Sequence, residues 1–223
     1  MNDLDIVDTS LATSGRRAQF VRSAFWLESF TIAWMLIEAA VAIAAGLAAR
    51  SLLVLAFGFD SLIELLSACV LFWRLRIELR LGGKFSEDVE RYAARVAGGL
   101  LFGLAAYVVA AAGWGLWAHH EAAFSAPGLI LSVVAIPIMY VLSKRKLALA
   151  EKIGSRALRA DAFEGIACGW LSFVVVVGLL AQLVIAAWWV DSLASLVIVY
   201  FLVKEGREAW EGDECDEGRH EPD

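Results

Sequence analysis

Long apolar runs separated by short polar stretches dominate this chain. They recur near 28–49, 52–73, 97–118, 127–143, 160–182 and 186–203. Each run can cross a hydrocarbon core of about 30 Å, which takes about 20 helical residues. The pattern predicts an all-α polytopic membrane protein with six transmembrane helices. Residues 1–25 form an N-terminal lead whose scattered apolar positions, Leu11, Phe20, Val21 and Phe25, suit an interfacial helix. Residues 26–204 carry the six spans, and 205–223 read as an acidic, disordered tail.

Within this frame, the stretch RLRIELRLGGKFSEDVER between spans two and three reads as helical extensions around Gly82 and Gly83. Span three places Gly99 and Gly103 four apart, a spacing that lets two helices approach closely, within one chain or in a homodimer. Pro137 sits in the centre of span four and predicts a kink.

Composition agrees with the pattern: 60% of the residues are hydrophobic and the mean hydropathy is +0.68, against roughly 45–50% apolar residues in soluble domains. Basic residues orient the chain, because cytoplasmic loops retain Lys and Arg. With an even number of spans both termini share a side, and that side collects every one of the 19 Lys and Arg except Arg50. Both termini are therefore expected in the cytoplasm, with the chain in a cell (inner or plasma) membrane. The net charge of −6 comes from acids in the lead, the 78–90 loop and the tail, and does not indicate a nucleic-acid partner. Cys69, Cys168 and Cys215 lack paired spacing, so no disulfide framework is expected. The start MNDLDIVDTS lacks a basic region followed by an apolar core, so a cleaved signal peptide is not expected. Trp26, Trp73, Trp114, Trp117, Trp188 and Trp189 fall near span ends, where indoles settle at headgroup depth.

The candidate chemistry lies inside two spans. Asp60 and Glu64 are four apart in DSLIE, with Ser67 a further turn along; ADAFEGIAC presents Asp161, Glu164 and Cys168 at spacings of three and four. Such spacings share a helix face. Acids are costly in a bilayer, and two antiparallel helices would bring these stripes to similar depth. Asp60, Glu64, Glu164 and Cys168 thus form a candidate four-ligand metal site. Oxygen and sulfur donors in a tetrahedral set suit Zn²⁺, whereas Mg²⁺ and Ca²⁺ prefer oxygen-only shells. Cd²⁺, Co²⁺, Fe²⁺ and Mn²⁺ are alternatives. Cys215, His220 and their neighbouring acids could hold a metal loosely, but a solvated tail accounts for them better.

AAGLAARSLLVLAFGFDSLIE (44–64) followed by SRALRADAFEGIAC (155–168) resembles the transmembrane part of the cation diffusion facilitator family; WWVDSLASLVIVYF in span six, including Asp191, is similar too. The resemblance covers most of 28–203 and implies export of divalent metals in exchange for protons. Family members commonly offer two Asp four apart on the second helix, and a His and an Asp four apart on the fifth. It therefore assigns ligand roles to Asp60, Glu64, Glu164 and Cys168. Here Glu64 replaces Asp, Glu164 replaces His and Cys168 replaces Asp, which opens the metal preference. The similarity is greatest to a compact branch without the C-terminal cytoplasmic domain, with a Glu in span one, here Glu38.

Metal and proton compete for the same carboxylate oxygens, so a site that faces each side in turn couples metal export to inward proton flow. The expected function is a Zn²⁺/H⁺ antiporter working by alternating access, with metal as substrate, no organic cofactor and no enzymatic activity. Glu38, Asp161 and Asp191 are expected as secondary acids that relay protons or hydrogen-bond between helices. The alternative is a non-transporting metal sensor or regulatory subunit. A haem enzyme would have to use the adjacent His119 and His120, which point to different sides of an outer loop.

Overall fold

The computed structural model describes residues 3–81, 87–119, 121–185 and 187–211. Six helices account for nearly all of them: α1 (Asp3–Ala49), α2 (Leu52–Leu81), α3 (Glu87–Trp117), α4 (Ala126–Ile153), α5 (Arg156–Ile185) and α6 (Val190–Glu211). There is no strand among the described residues.

Local chemistry sets the helix boundaries. Between α1 and α2, Arg50 turns the chain at φ 53° and the Ser51 N–H donates to Gly46 O at 3.0 Å. That tight reversal lays the two helices together. A Cβ at Gly46 would stand 2.8 Å from the Leu55 backbone, and one at Gly58 2.9 Å from Ile43, so both positions need glycine for backbone approach. α4 starts at Ser125, whose hydroxyl accepts from Gly128 N at 3.2 Å, with Pro127 in the first turn. It ends at Gly154, left-handed at φ 70°, whose N–H donates to Ala150 O at 2.8 Å.

α2 is the centre of the bundle and packs against α1, α3, α5 and α6; α4 closes on α1 and α5, and α3 on α6. The interior core runs through Phe57, Leu53, Met139, Leu171, Val175 and Ile198. Large apolar side chains also cover the outside, among them Leu36, Ile130, Val184 and Tyr200. Several charged groups lie inside instead: Glu28, Glu38, Asp60, Glu64 and Lys146 are all buried. A lipid solvent explains this arrangement, since apolar surface costs nothing against hydrocarbon while charges must find partners within the protein.

Five helices among the described residues are long and apolar enough to cross a membrane, through Gln19–Ala49, Leu52–Ile77, Gly98–Trp117, Ala126–Ile153 and Ala157–Ile185. The sixth, α6, falls short of that measure because Asp191, Lys204, Glu205, Arg207 and Glu208 lie within its 22 residues. It nonetheless belongs to the bundle. Its buried face runs through Asp191, Ser195, Ile198, Leu202 and Gly206, while Lys204 and Glu208 pair on the exposed face at 3.7 Å.

Three helix boundaries differ from the sequence expectation. α1 begins at Asp3, so the lead is continuous with the first span. The basic stretch after span four is helical to Ile153, leaving only Gly154 and Ser155 before α5. α6 continues to Glu211, past the boundary expected at 204, because an amphipathic turn pairs its charges outward and packs Gly206 against Phe102 and Gly98 of α3. Helix α4 runs unbroken through Pro137. Gly99 and Gly103 meet no other side chain within 4 Å of an added Cβ, so packing within the chain does not use their spacing. Gly82, Gly83, His120, Cys215 and His220 lie outside the described residues.

Candidate metal centre

Asp60 and Glu64 occupy successive turns of α2 on the face turned towards α6, with relative exposures of 0% and 5%. α6 sends in Glu205. One carboxylate oxygen from each of these three residues lies within 4.8 Å of the other two. Both oxygens of Asp60, both of Glu64 and Oε1 of Glu205 are buried without a hydrogen-bond partner. Carboxylates enclosed in this way pay the full cost of desolvation, and a cation shared among them would repay it. Two oxygens each about 2.0–2.2 Å from zinc are no more than about 4.4 Å apart, so the trio stands close to the spacing that one shared ion needs.

α1 and α5 flank this trio. Glu38 on α1 is fully buried; its Oε2 accepts from Trp34 Nε1 at 2.6 Å and its Oε1 from Ser61 Oγ at 2.9 Å. The Cys168 thiol on α5 donates to the same Oε1 at 3.5 Å. Cys168 is fully buried and within electrostatic reach of Glu64 and Asp60. Glu38 therefore ties the thiol of α5 to Ser61 of α2, next to Asp60.

Glu164 stands elsewhere. Its carboxylate interacts electrostatically with Asp60, Glu64 and Glu205 but is not among the oxygens that meet within 4.8 Å. It lines a small cavity of about 10 Å³ with Asp161, Lys146, Ser143 and Thr31. There Lys146 Nζ lies 3.0 Å from Glu28 Oε2 and 2.5 Å from Asp161 Oδ2. Asp191 is at the far end of α2, where Oδ1 accepts from Ser51 Oγ at 2.5 Å and Oδ2 from Leu52 N at 2.8 Å. A carboxylate there caps the first turn of α2 and complements its dipole.

The family model for the cation efflux transmembrane domain matches residues 29–211, from the middle of α1 to the end of α6. The chain belongs to the cation diffusion facilitator family. It is a metal cation transporter embedded in a membrane, from a family of transporters that handle divalent cations. No curated protein matches the chain.

For this cation diffusion facilitator, the structure gathers part of the sequence-derived constellation and redistributes the rest. Asp60 and Glu64 stand together, Cys168 lies beside them through Glu38, and Glu164 faces a second polar cluster with Asp161. Glu205 falls at the start of the stretch that the sequence reads as an acidic tail. Its signal was periodic: Asp191, Ser195, Ile198, Leu202 and Glu205 repeat at three to four residues. Lys146, which the sequence counts among the basic residues of the cytoplasmic side, and Glu28 are both buried. In the run Lys144–Arg145–Lys146 the first two side chains are exposed and only the third turns inward. Of the two histidines weighed for haem, His119 packs on the Trp188 ring at 4.3 Å.

Proposed function

We propose that the protein exports Zn²⁺ from the cytoplasm in exchange for protons, by alternating access. The observation that carries this reading is the trio Asp60, Glu64 and Glu205, whose buried oxygens lack partners and lie within 4.8 Å of one another. Four-coordinate zinc takes oxygen and sulfur donors together, and Cys168 is the sulfur beside this cluster. The ion is the substrate, held by Asp60, Glu64 and Glu205 with Cys168 as the soft donor. Glu164 is met by the ion one turn earlier along α5. Each carboxylate oxygen can hold a proton or the metal, so loading one releases the other. Glu38, hydrogen-bonded to both Ser61 and Cys168, is placed to pass protons or to hold the thiol in position.

The transport unit spans residues 26–204 together with the remainder of α6, with both termini in the cytoplasm and the bilayer that of the cell. The outward Gly99–Gly103 pair, unused within the chain, favours a homodimer that packs two α3 helices.

Transport in proteoliposomes tests the proposal. Zinc flux should run against an imposed proton gradient and fall to background in Asp60→Asn and Glu64→Gln. Full flux in both variants would overturn the site, and flux without counter-moving protons would overturn the antiport. Tight zinc binding with no flux would instead make the protein a sensor or regulatory subunit.

A further inference from the structure

We propose that the outer groove between α1 and α4 binds one anionic phospholipid, with its phosphate at Arg145 and an acyl chain laid along the groove towards Pro137. The groove lies on the bilayer side of the bundle, and its occupancy does not depend on which ion the interior carries.

Packed helices leave few gaps larger than a water molecule, yet a groove of about 950 Å³ remains between α1 and α4. That volume is near the upper end of what small-molecule sites enclose, about 300–1,000 Å³. Leu27, Ile138, Leu142 and Leu149 form an apolar floor that is buried or half-buried. Trp26, Phe30 and Val141 stand exposed along the rim. Ser23, Pro137 and Ala148 line the same groove and carry too little side chain to fill it. Hydrocarbon is the medium on this side of a membrane protein, so an acyl chain occupies the gap with no polar group left unpaired.

Charge gives the groove a direction. Phe20 meets Lys152 and Glu28 meets Lys146, so α1 and α4 run antiparallel and the start of one span shares a mouth with the end of the other. Arg145 lines that mouth with Ser23, and Lys152 lies one turn beyond Ala148. Pro137 is two turns deeper than Arg145, roughly 12 Å. Among the described residues no carboxylate pairs with Arg145, whereas Lys146, next in the chain, turns inward to Glu28 and Asp161. Ser23 Oγ already donates to Gln19 O at 3.1 Å. Phosphate recognition therefore falls to the guanidinium, whose planar fork matches two phosphate oxygens. With the termini in the cytoplasm this mouth faces the cytoplasmic leaflet, where basic pockets between transmembrane helices take anionic headgroups.

Two other occupants fit less well. Residues 212–223, GDECDEGRHEPD, contain no large apolar side chain to match the floor. A second copy of the chain would leave Arg145 facing a basic run like its own.

Native mass spectrometry of the full chain, titrated in detergent with phosphatidylglycerol or with phosphatidylcholine of the same acyl chains, tests this. Wild type should retain one phosphatidylglycerol per chain in preference to phosphatidylcholine. Arg145→Gln should weaken phosphatidylglycerol about fivefold, the contribution of one basic residue at a membrane surface, and leave phosphatidylcholine unchanged. Lys144 sits over the Tyr140 ring at 5.8 Å and does not line the groove, so Lys144→Gln should bind as wild type. Ala148→Trp should fill the groove and weaken both lipids. Equal phosphatidylglycerol affinity in wild type and Arg145→Gln would overturn the proposal, as would an equal loss in Lys144→Gln or unaltered retention of both lipids in folded Ala148→Trp. A lipid-free dimer that Ala148→Trp dissociates would make the groove an interface between copies and overturn it too. If Ala148→Trp does not fold, the comparison of Arg145→Gln with Lys144→Gln decides alone.

Discussion

Cys168 on α5 donates its thiol hydrogen to Glu38 on α1, Sγ to Oε1 3.5 Å, which places the soft donor beside the carboxylates of α2. Ser61 donates to the same oxygen from the other side, at 2.9 Å. A thiol held in this position can join a cation at Asp60 and Glu64 by giving up one weak hydrogen bond.

Replacing that sulfur should change which ion is preferred before it changes whether one binds. In Cys168→Asp the donors become all oxygen, and cadmium, which favours thiolate, should lose more affinity than manganese. Competition titrations of Cd²⁺ against Mn²⁺ on wild type and variant measure the exchange. Equal cadmium preference in both would exclude the thiolate as a ligand.

Glu205 extends the site to a third helix. Glu205→Gln removes a charged oxygen while keeping the shape of the side chain, and zinc affinity should fall by about 10–100-fold. Lys204 and Glu208 lie on the exposed side of α6, so Glu208→Gln serves as the control and should bind normally. Isothermal titration with zinc distinguishes the two.

Much of this organisation was legible in the residue pattern, and the unread parts have two causes. Apolar run length predicts six spans, of which five among the described residues are helices long and apolar enough to cross a membrane, and the spacing of Asp60 with Glu64 and of Asp161 with Glu164 and Cys168 marks polar stripes on α2 and α5. Spacing gives the face of one helix but not its rotation against another. Asp161 and Glu164 share a stripe with Cys168, yet the antiparallel crossing leaves Cys168 beside the α2 acids and turns the other two to Lys146. Lys146 and Glu205 were hidden for a different reason. Charges near a span end resemble loop residues, and only the continuing three-to-four periodicity of α4 and α6 shows that they point inward.

Asp191 gives a prediction about stability alone. It caps α2 through Leu52 N and binds Ser51, so Asp191→Ala leaves a buried hydroxyl and a helix N-terminus without their acceptor. The cost should be about 1–3 kcal/mol. Thermal unfolding in detergent should shift downward, while zinc stoichiometry stays as in wild type. Lost zinc binding in a folded Asp191→Ala protein would assign this residue to the transport path.

Protons and metal compete at the same oxygens, and the sign of that competition can be measured. Each proton displaced when zinc binds should weaken zinc affinity by about tenfold per pH unit lowered, over the range in which that group is protonated in the empty site. Zinc affinity should therefore fall on acidification, and a plot of its logarithm against pH gives the number of protons exchanged per ion. Removing one participant reduces that slope: Glu64→Gln cannot exchange a proton at position 64, so its plot should be shallower as well as displaced to weaker binding. Glu208→Gln, on the exposed face of α6, should keep the wild-type slope. A Glu64→Gln plot merely displaced, parallel to wild type, would mean that Glu64 binds the metal without contributing a proton to the exchange, and the coupling would then have to run through Asp60 or Glu205.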